Sequence, residues 1–332
     1  MIVLASWVNK PFTLVVLGQS KNSGNEPCPV VVQKQRGDSG RTFSDWCREK
    51  ASLSPEIKYT VEVLLEKAGT TKCDVANQKL STLTELYLED NKISDIKPLE
   101  SLTNLKALVL YNTKISDIKP LESLTNLTVL ALTENQISDI KPLESLTNLE
   151  GLVLDKSQIS DIKPLEFLTN LTELWLTENQ ISDIKSLQSL TKLTDLRLTQ
   201  NKISDIKPLE SLIKLTELRL DNNQISDIKP LQYLTKLSSL SLNDNQISDI
   251  KPLQFLSQLY QLFLDNNQIT EIKPLQSLIN LTYLTLTHNQ ISDIKPLASL
   301  SNLAALKLGG NPITPKTCPL KLELESACDW EP

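Results

Sequence analysis

A period of 22 residues, kept without insertion through most of the chain, constrains this sequence more than any local propensity. Leu recurs at 83, 105, 127, 149, 171, 193, 215, 237, 259, 281 and 303, each time opening the pattern L-x-x-L-x-L-x-x-N-x-I. The first instance is Leu83, Leu86, Leu88, Asn91 and Ile93, and it continues as S-D-I-K-P-L-E-S-L-T-N. Ten complete units and an eleventh that ends at Ile313 occupy residues 83–313. A unit this short cannot bury its own apolar face, so the units must stack and share one core.

The columns of the repeat predict the local structure. Leu at positions 1, 4 and 6 includes an alternating L-x-L pair, which is strand spacing. Ile at positions 11 and 14 and Leu at 17 and 20 complete seven apolar side chains per unit. Each buried aliphatic contributes roughly 1.5–3 kcal/mol, most of it offset by chain entropy. Aromatics are 5% of the chain, so the core is aliphatic. Position 9 is Asn, where the chain leaves the strand and its backbone groups lose sheet partners; a buried amide both donates and accepts and can satisfy them. Thr113 and Ser157 depart from this column, and local weakening is expected there. Pro recurs at position 16 from Pro98 and Pro120 onward, with Ser186 the exception. Pro and the short unit together exclude a long helix, which leaves turns and brief 3₁₀ segments on the outer face.

These units resemble the 22-residue leucine-rich repeats of bacterial internalins, whose I-x-D-I-x-P-L segment matches I-S-D-I-K-P-L here. The resemblance covers about residues 83–313 and implies an α/β leucine-rich-repeat solenoid. Its parallel sheet would line the concave face, its turns the convex face, and a small helical cap would close the N-terminal end. One such fold hosts many ligands, so the resemblance does not name a partner. No C-terminal L-P-x-T-G signal is present, and wall anchoring and host-cell invasion are not carried over.

The flanking segments read as caps. Residues 43–82 form the helical N-terminal cap: Ser54 suits an N-cap, Pro55 the first helical position, and Gly69 the stop, with Ile57, Val61, Leu64 and Leu65 on one face. A second short helix is expected over 74–79, and residues 314–332 form the last cap. The cysteines, Cys28, Cys47, Cys73, Cys318 and Cys328, all lie outside the repeats. Eleven strands set the two ends roughly 50 Å apart, so only local pairs are allowed. These are Cys47–Cys73 and Cys318–Cys328; Cys28 is left over and could compete for Cys47 or Cys73, and reduced thiols are the alternative. Disulfides imply an oxidising compartment. Residues 1–20 are a candidate signal peptide, with an apolar run at 11–18, and residues 21–42 a polar linker. Export to the medium or envelope is the expectation, and a cytoplasmic scaffold the alternative. No apolar stretch is long enough for a membrane span.

The net charge of −6 argues against a nucleic-acid binder, and the single His, His288, leaves little for catalysis. Neither a nucleophile–base pair nor a phosphate loop nor a metal cluster is present, so neither enzyme activity nor a cofactor is expected. The Asp and Lys ladders at positions 13 and 15 read as a solvated flank rather than a cation site. Variation concentrates at positions 3, 5, 7 and 8, the first three of which alternate with buried Leu and face outward from the sheet. There lie Tyr87, Tyr111, Trp175, Arg197, Arg219, Phe263 and Tyr283, beside the acidic Glu173, Asp195 and Glu217. Trp, Tyr and Arg dominate binding hot spots. Trp175, near Tyr111 and Val153, is expected to form an exposed apolar patch. The reading is a monomeric, non-catalytic module that binds a protein through this face. A glycan-associated structural protein of the envelope is the alternative, in which the aromatics would stack on sugars.

Overall fold

The alternation of buried Leu and outward side chains produces one open parallel sheet. The computed structural model describes residues 40–89, 92–319 and 328–331. The candidate signal peptide, most of the linker, Cys28 and Asn91 lie outside them. Strands β1 (Glu85–Glu89), β2 (Ala107–Tyr111), β3 (Val129–Ala131), β4 (Gly151–Val153), β5 (Glu173–Trp175) and β6 (Asp195–Arg197) follow in sequence order. They continue as β7 (Glu217–Arg219), β8 (Ser239–Ser241), β9 (Gln261–Phe263), β10 (Tyr283–Thr285), β11 (Ala305–Lys307) and β12 (Cys328–Asp329). Within the repeats each strand pairs with the next at an offset of one unit, as in Leu86↔Leu108 and Leu196↔Leu218. In β1 Leu86 and Leu88 are buried while Glu85, Tyr87 and Glu89 face solvent. Ile93, Ile96, Leu99, Leu102 and Leu105 close the core, as do their counterparts in every later complete unit.

On the opposite side each complete unit has one 3₁₀ turn of the type Lys97–Ser101. The Asp of position 13 builds it: its carboxylate accepts the backbone N–H of the Lys two residues on, at 2.9 Å for Asp117 and 2.8 Å for Asp205. The Asp column is therefore a series of turn caps. Ser186, where Pro is missing, donates its hydroxyl to the Ile162 carbonyl at 3.0 Å.

Position 9 links the units. Asn223 donates to the carbonyls of Leu198 in the preceding unit, at 3.0 Å, and of Leu220 and Asp221 in its own, and its Oδ1 accepts the Ile203 N–H at 3.0 Å. Asn179, Asn201, Asn245, Asn267 and Asn289 repeat this set. The two departures behave differently. Thr113 donates to Asn135 Oδ1 and so joins the ladder. Ser157 is too short, and its hydroxyl is buried without a hydrogen-bond partner. Just before this column the backbone turns left-handed in nine non-glycine residues from Asn112 to His288, at φ between 50° and 58°. Gly310 holds the same place at φ 71°, and a Cβ there would lie 2.7 Å from the His288 ring.

The N-terminal end is closed by α1 (Phe43–Arg48), α2 (Pro55–Ala68) and α3 (Cys73–Leu80). Thr42 and Asp45 form a reciprocal capping box on α1. Ser54 caps α2, and Gly69 ends it at φ 62°. Phe43, Trp46, Val61, Leu64 and Leu80 extend the core into this cap, while Thr60 Oγ1 donates to the Asp95 carbonyl of the first unit at 2.7 Å. Cys47 and Cys73 are bonded, with Cα atoms 5.5 Å apart. At the other end Cys318 and Cys328 are bonded at 5.9 Å, which tethers β12 beside β11.

The ladder predicts two opposite outcomes in urea unfolding. Asn223→Ala leaves the Ile203 N–H in the core without a partner and removes one of the two amide donors from the Leu198 and Leu220 carbonyls, and is expected to cost about 1–3 kcal/mol. Ser157→Asn restores the missing contacts and is expected to gain about 1 kcal/mol. An unchanged midpoint in both variants would show that the ladder contributes nothing.

Candidate binding surface

Strand alternation places positions 3, 5 and 7 on the concave face of the sheet, and the registers show which of them meet. Trp175 on β5 pairs with Val153 on β4 and with Arg197 on β6, and Arg197 in turn with Arg219 on β7. The Arg197 guanidinium lies over the Trp175 ring, 3.8 Å from its centroid. Asp195 holds that guanidinium by two bonds, Nε–Oδ1 at 3.1 Å and Nη2–Oδ2 at 2.8 Å, and Glu217 lies at 3.6 Å. A planar cation stacked on an indole and gripped by a carboxylate is pre-ordered, because its rotamer is already fixed.

The expected exposed patch is not formed. Trp175 is 3% and Val153 6% exposed. Gly151 and Val153 on β4 offer little bulk beside the indole, and Arg197 covers its other flank. Tyr111, at the end of β2, is half-buried and three strands from Trp175. Trp175 is thus a platform that carries Arg197 rather than a free aromatic anchor.

Asp155, at position 7 of the same unit as Val153, was not singled out as a site residue by its sequence. Its carboxylate accepts the Thr177 N–H at 2.7 Å. Burial nonetheless pushes its pKa up to about 6, with the Thr177 hydrogen bonds and the Arg197 charge pulling the other way. Its equivalents Asp221 and Asp265 accept the Asn243 and Thr287 N–H groups at 3.0 and 2.7 Å.

The remaining candidates fall into separate places. Glu173 sits at the start of β5, half-buried. Arg219 is exposed and makes no ion pair with any described residue. Phe263 and Tyr283, on β9 and β10, pack ring to ring at 5.4 Å. Tyr87 donates its hydroxyl to Glu85 Oε2 at 2.8 Å; burial and Glu85 raise its pKa to about 12. One connected cluster therefore spans β5–β7, with smaller aromatic sites toward each end.

Comparisons with known proteins agree with this architecture. A profile described as Leucine Rich repeats (2 copies) matches residues 81–123, 125–167, 169–211, 191–233, 213–254 and 235–277. A second, Leucine rich repeat, matches 257–313. An internalin from Listeria monocytogenes is similar at 35% identity and a TM-score of 0.69, over 80% of this chain and 85% of that one. A leucine-rich-repeat protein of Leptospira interrogans is similar at 30% identity and a TM-score of 0.62, over 73% and 70%. A plant peptide hormone receptor, solved in complex with its ligand, shares the fold alone, at 22% identity and a TM-score of 0.60 over 71% and 45%. The comparison with curated proteins gave no match.

Asp155 makes stability depend on pH. Its folded pKa is about 6, above the ordinary 3.8, so between these values the folded state holds a proton that the unfolded state has lost. Stability is expected to fall as pH rises through this window, by on the order of 2–3 kcal/mol, and to stay reduced above it. Asp155→Asn is expected to flatten that slope and raise the urea midpoint at neutral pH. A carboxyl titration by NMR with its midpoint near the ordinary value would refute the assignment.

Proposed function

The chain belongs to the leucine-rich-repeat family as an internalin-like member, and on that premise we propose that it is a non-catalytic protein-binding module whose concave sheet seats the partner over β5–β7. The observation that carries this reading is the Asp155–Trp175–Arg197 cluster. The core columns barely change between units, whereas here the outward positions hold a half-buried carboxylate and an ordered indole–guanidinium stack. Burial raises the pKa of Asp155 beside Arg197, and Thr occupies its place in the β5 and β6 units as Thr177 and Thr199. Titratable groups with shifted pKa values beside an ordered charge concentrate at functional sites.

The charge of the face indicates the chemistry of its partner. Positions 3, 5 and 7 carry Glu85, Glu89, Asp155, Glu173, Asp195, Glu217, Asp221 and Asp265 against Arg197, Arg219 and Lys307. Arg197 is already neutralised by Asp195 and Glu217. A partner surface with surplus Lys or Arg fits this face, with Arg219 left to contact an acidic group or an aromatic ring. The glycan alternative loses support with the burial of Trp175, the aromatic best suited to stack on a sugar. The two disulfides support an oxidising location, secreted or at the envelope. Among the described residues no helix is long and apolar enough to cross a membrane.

Affinity capture tests the reading. The parent is compared with Glu217→Ala/Arg219→Ala, which removes two side chains that reach solvent and leaves the Leu core intact. A protein held by the parent and bound at least about tenfold more weakly by the variant, with affinity falling in salt, is the expected result. Equal binding by both, or capture of polysaccharide alone, would remove the concave face from consideration.

A further inference from the structure

One flank of the solenoid carries a second set of departures from the repeat. It runs from the end of each 3₁₀ turn to the start of the next strand, positions 18 to 22 of one unit and 1 and 2 of the following one. Small hydroxyl residues stitch the units together there. Ser at position 19 donates to the position-18 carbonyl of the preceding unit, as Ser189 does to Glu166 at 2.9 Å and Ser277 to Gln254 at 3.1 Å. Thr at position 2 donates to the unit before it, as Thr216 does to Thr194 at 3.0 Å.

Units six to nine abandon this chemistry at several points. Tyr233 and Phe255 replace the position-19 Ser in adjacent units and are 52% and 51% exposed. Tyr260 replaces the position-2 Thr, and Ile213 and Ile279 replace Thr at position 21; all three are exposed. The Tyr and Phe substitutions give up an inter-unit hydrogen bond, and all five place a large apolar side chain in water. Neither change helps the fold. Single exposed apolar residues are ordinary, and Phe167, alone among serines, is one; a cluster within four stacked units is not.

The charge of the same flank changes with it. In units one to four it carries Glu100, Glu122, Glu144, Glu150 and Glu166 against Lys106. In units five to nine it carries Lys192, Lys214 and Lys236 against Glu210, and position 18 becomes Gln232, Gln254 and Gln276. Acids are withdrawn across the units that carry the aromatics and lysines are added in units five to seven, opposite in sign to the concave face.

We propose that this flank is a second docking surface, for an extended protein segment that intersperses apolar side chains with acidic ones. Four stacked units span about 19 Å, the length of roughly six extended residues. The apolar side chains supply burial, and Lys214 and Lys236 pair with the segment's carboxylates. A two-fold dimer through this flank would set lysines against lysines, which disfavours a second copy as occupant.

The test uses the full chain and variants that return the flank to the common repeat. Tyr233→Ser/Phe255→Ser restores the Ser found in other units, and Lys214→Asn/Lys236→Asn restores their Asn. Both are expected to unfold at no lower urea concentration than the parent, so a binding change is not a folding change. A random peptide library is panned on the parent, and enriched peptides are titrated against each variant by fluorescence anisotropy. Acidic–apolar sequences are expected, bound at least about tenfold more weakly by the aromatic variant, several-fold more weakly by the lysine variant, and unaffected by Glu217→Ala/Arg219→Ala. No enrichment, basic sequences, or binding indifferent to the aromatic variant would overturn the proposal. So would aromatic-dependent binding to phosphatidylcholine vesicles doped with phosphatidylglycerol, which assigns the flank to an anionic membrane. Self-association in sedimentation velocity that the aromatic variant abolishes would assign it to a second copy.

Discussion

The amide of position 9 is the contact on which the stack depends. Leucines and isoleucines drive burial, but that attraction is non-directional and would tolerate a shifted or slipped stack. The asparagine is specific. Asn223 reaches one carbonyl in the preceding unit, two in its own, and the N–H of Ile203, and no other side chain of that size satisfies both kinds of group. It fixes the distance and the register of each unit on its neighbour, and it lets the backbone leave the sheet without stranded polar groups. The left-handed residue just before it belongs to the same turn. Glu134, Lys156, Glu178 and Gln200 adopt that conformation at a local cost, of roughly 1 kcal/mol each, which the amide and the stacked core offset.

With so regular a frame, outward positions are free to vary without structural consequence, and departures there stand out. On the sheet face the departures build Trp175 into a support for Arg197, with Asp195 and Glu217 as its clamps and the half-buried Asp155 close by. A surface of this kind loses little conformational entropy when a partner arrives, since its guanidinium is already held. Asp155 is the opposite kind of feature: a partly desolvated carboxylate, whose ionised form gains from any cation that a partner brings to it.

Much of this was legible in the sequence because each inference used contacts that lie at fixed spacing. The seven core columns, the Asn ladder, the turn at Pro98 and its equivalents, the Ser54 to Gly69 helix and the two short-range disulfide pairs all follow from period, capping chemistry or reach. The second cap helix runs one residue further at each end than the spacing suggests, and α1 before it has no such signal beyond Thr42 and Asp45. What escaped the sequence depends on which side chains meet across strands. Alternation correctly turned Trp175 outward, but outward was equated with exposed. Its burial is decided by Gly151, Val153 and Arg197, one strand away on either side. The raised pKa of Asp155 has the same origin. The left-handed turns were equally hidden, since Glu, Lys and Gln do not advertise positive φ as the glycine at 310 does.

Because most junctions between units use the same amide, with Thr113 and Ser157 as the departures, most joints of the array are interchangeable. Gain or loss of one unit in register recreates a junction of the kind already present, so the chain can lengthen or shorten by recombination between its near-identical repeats without inventing a new fold. Each such event moves everything on one side of it by a single strand spacing relative to the other. The sheet cluster and the apolar flank overlap along the array, so an event in the first units carries both together, whereas one beyond the ninth leaves both in place. Selection could thus tune the length of this protein at either end while its recognition surfaces travel as one cassette.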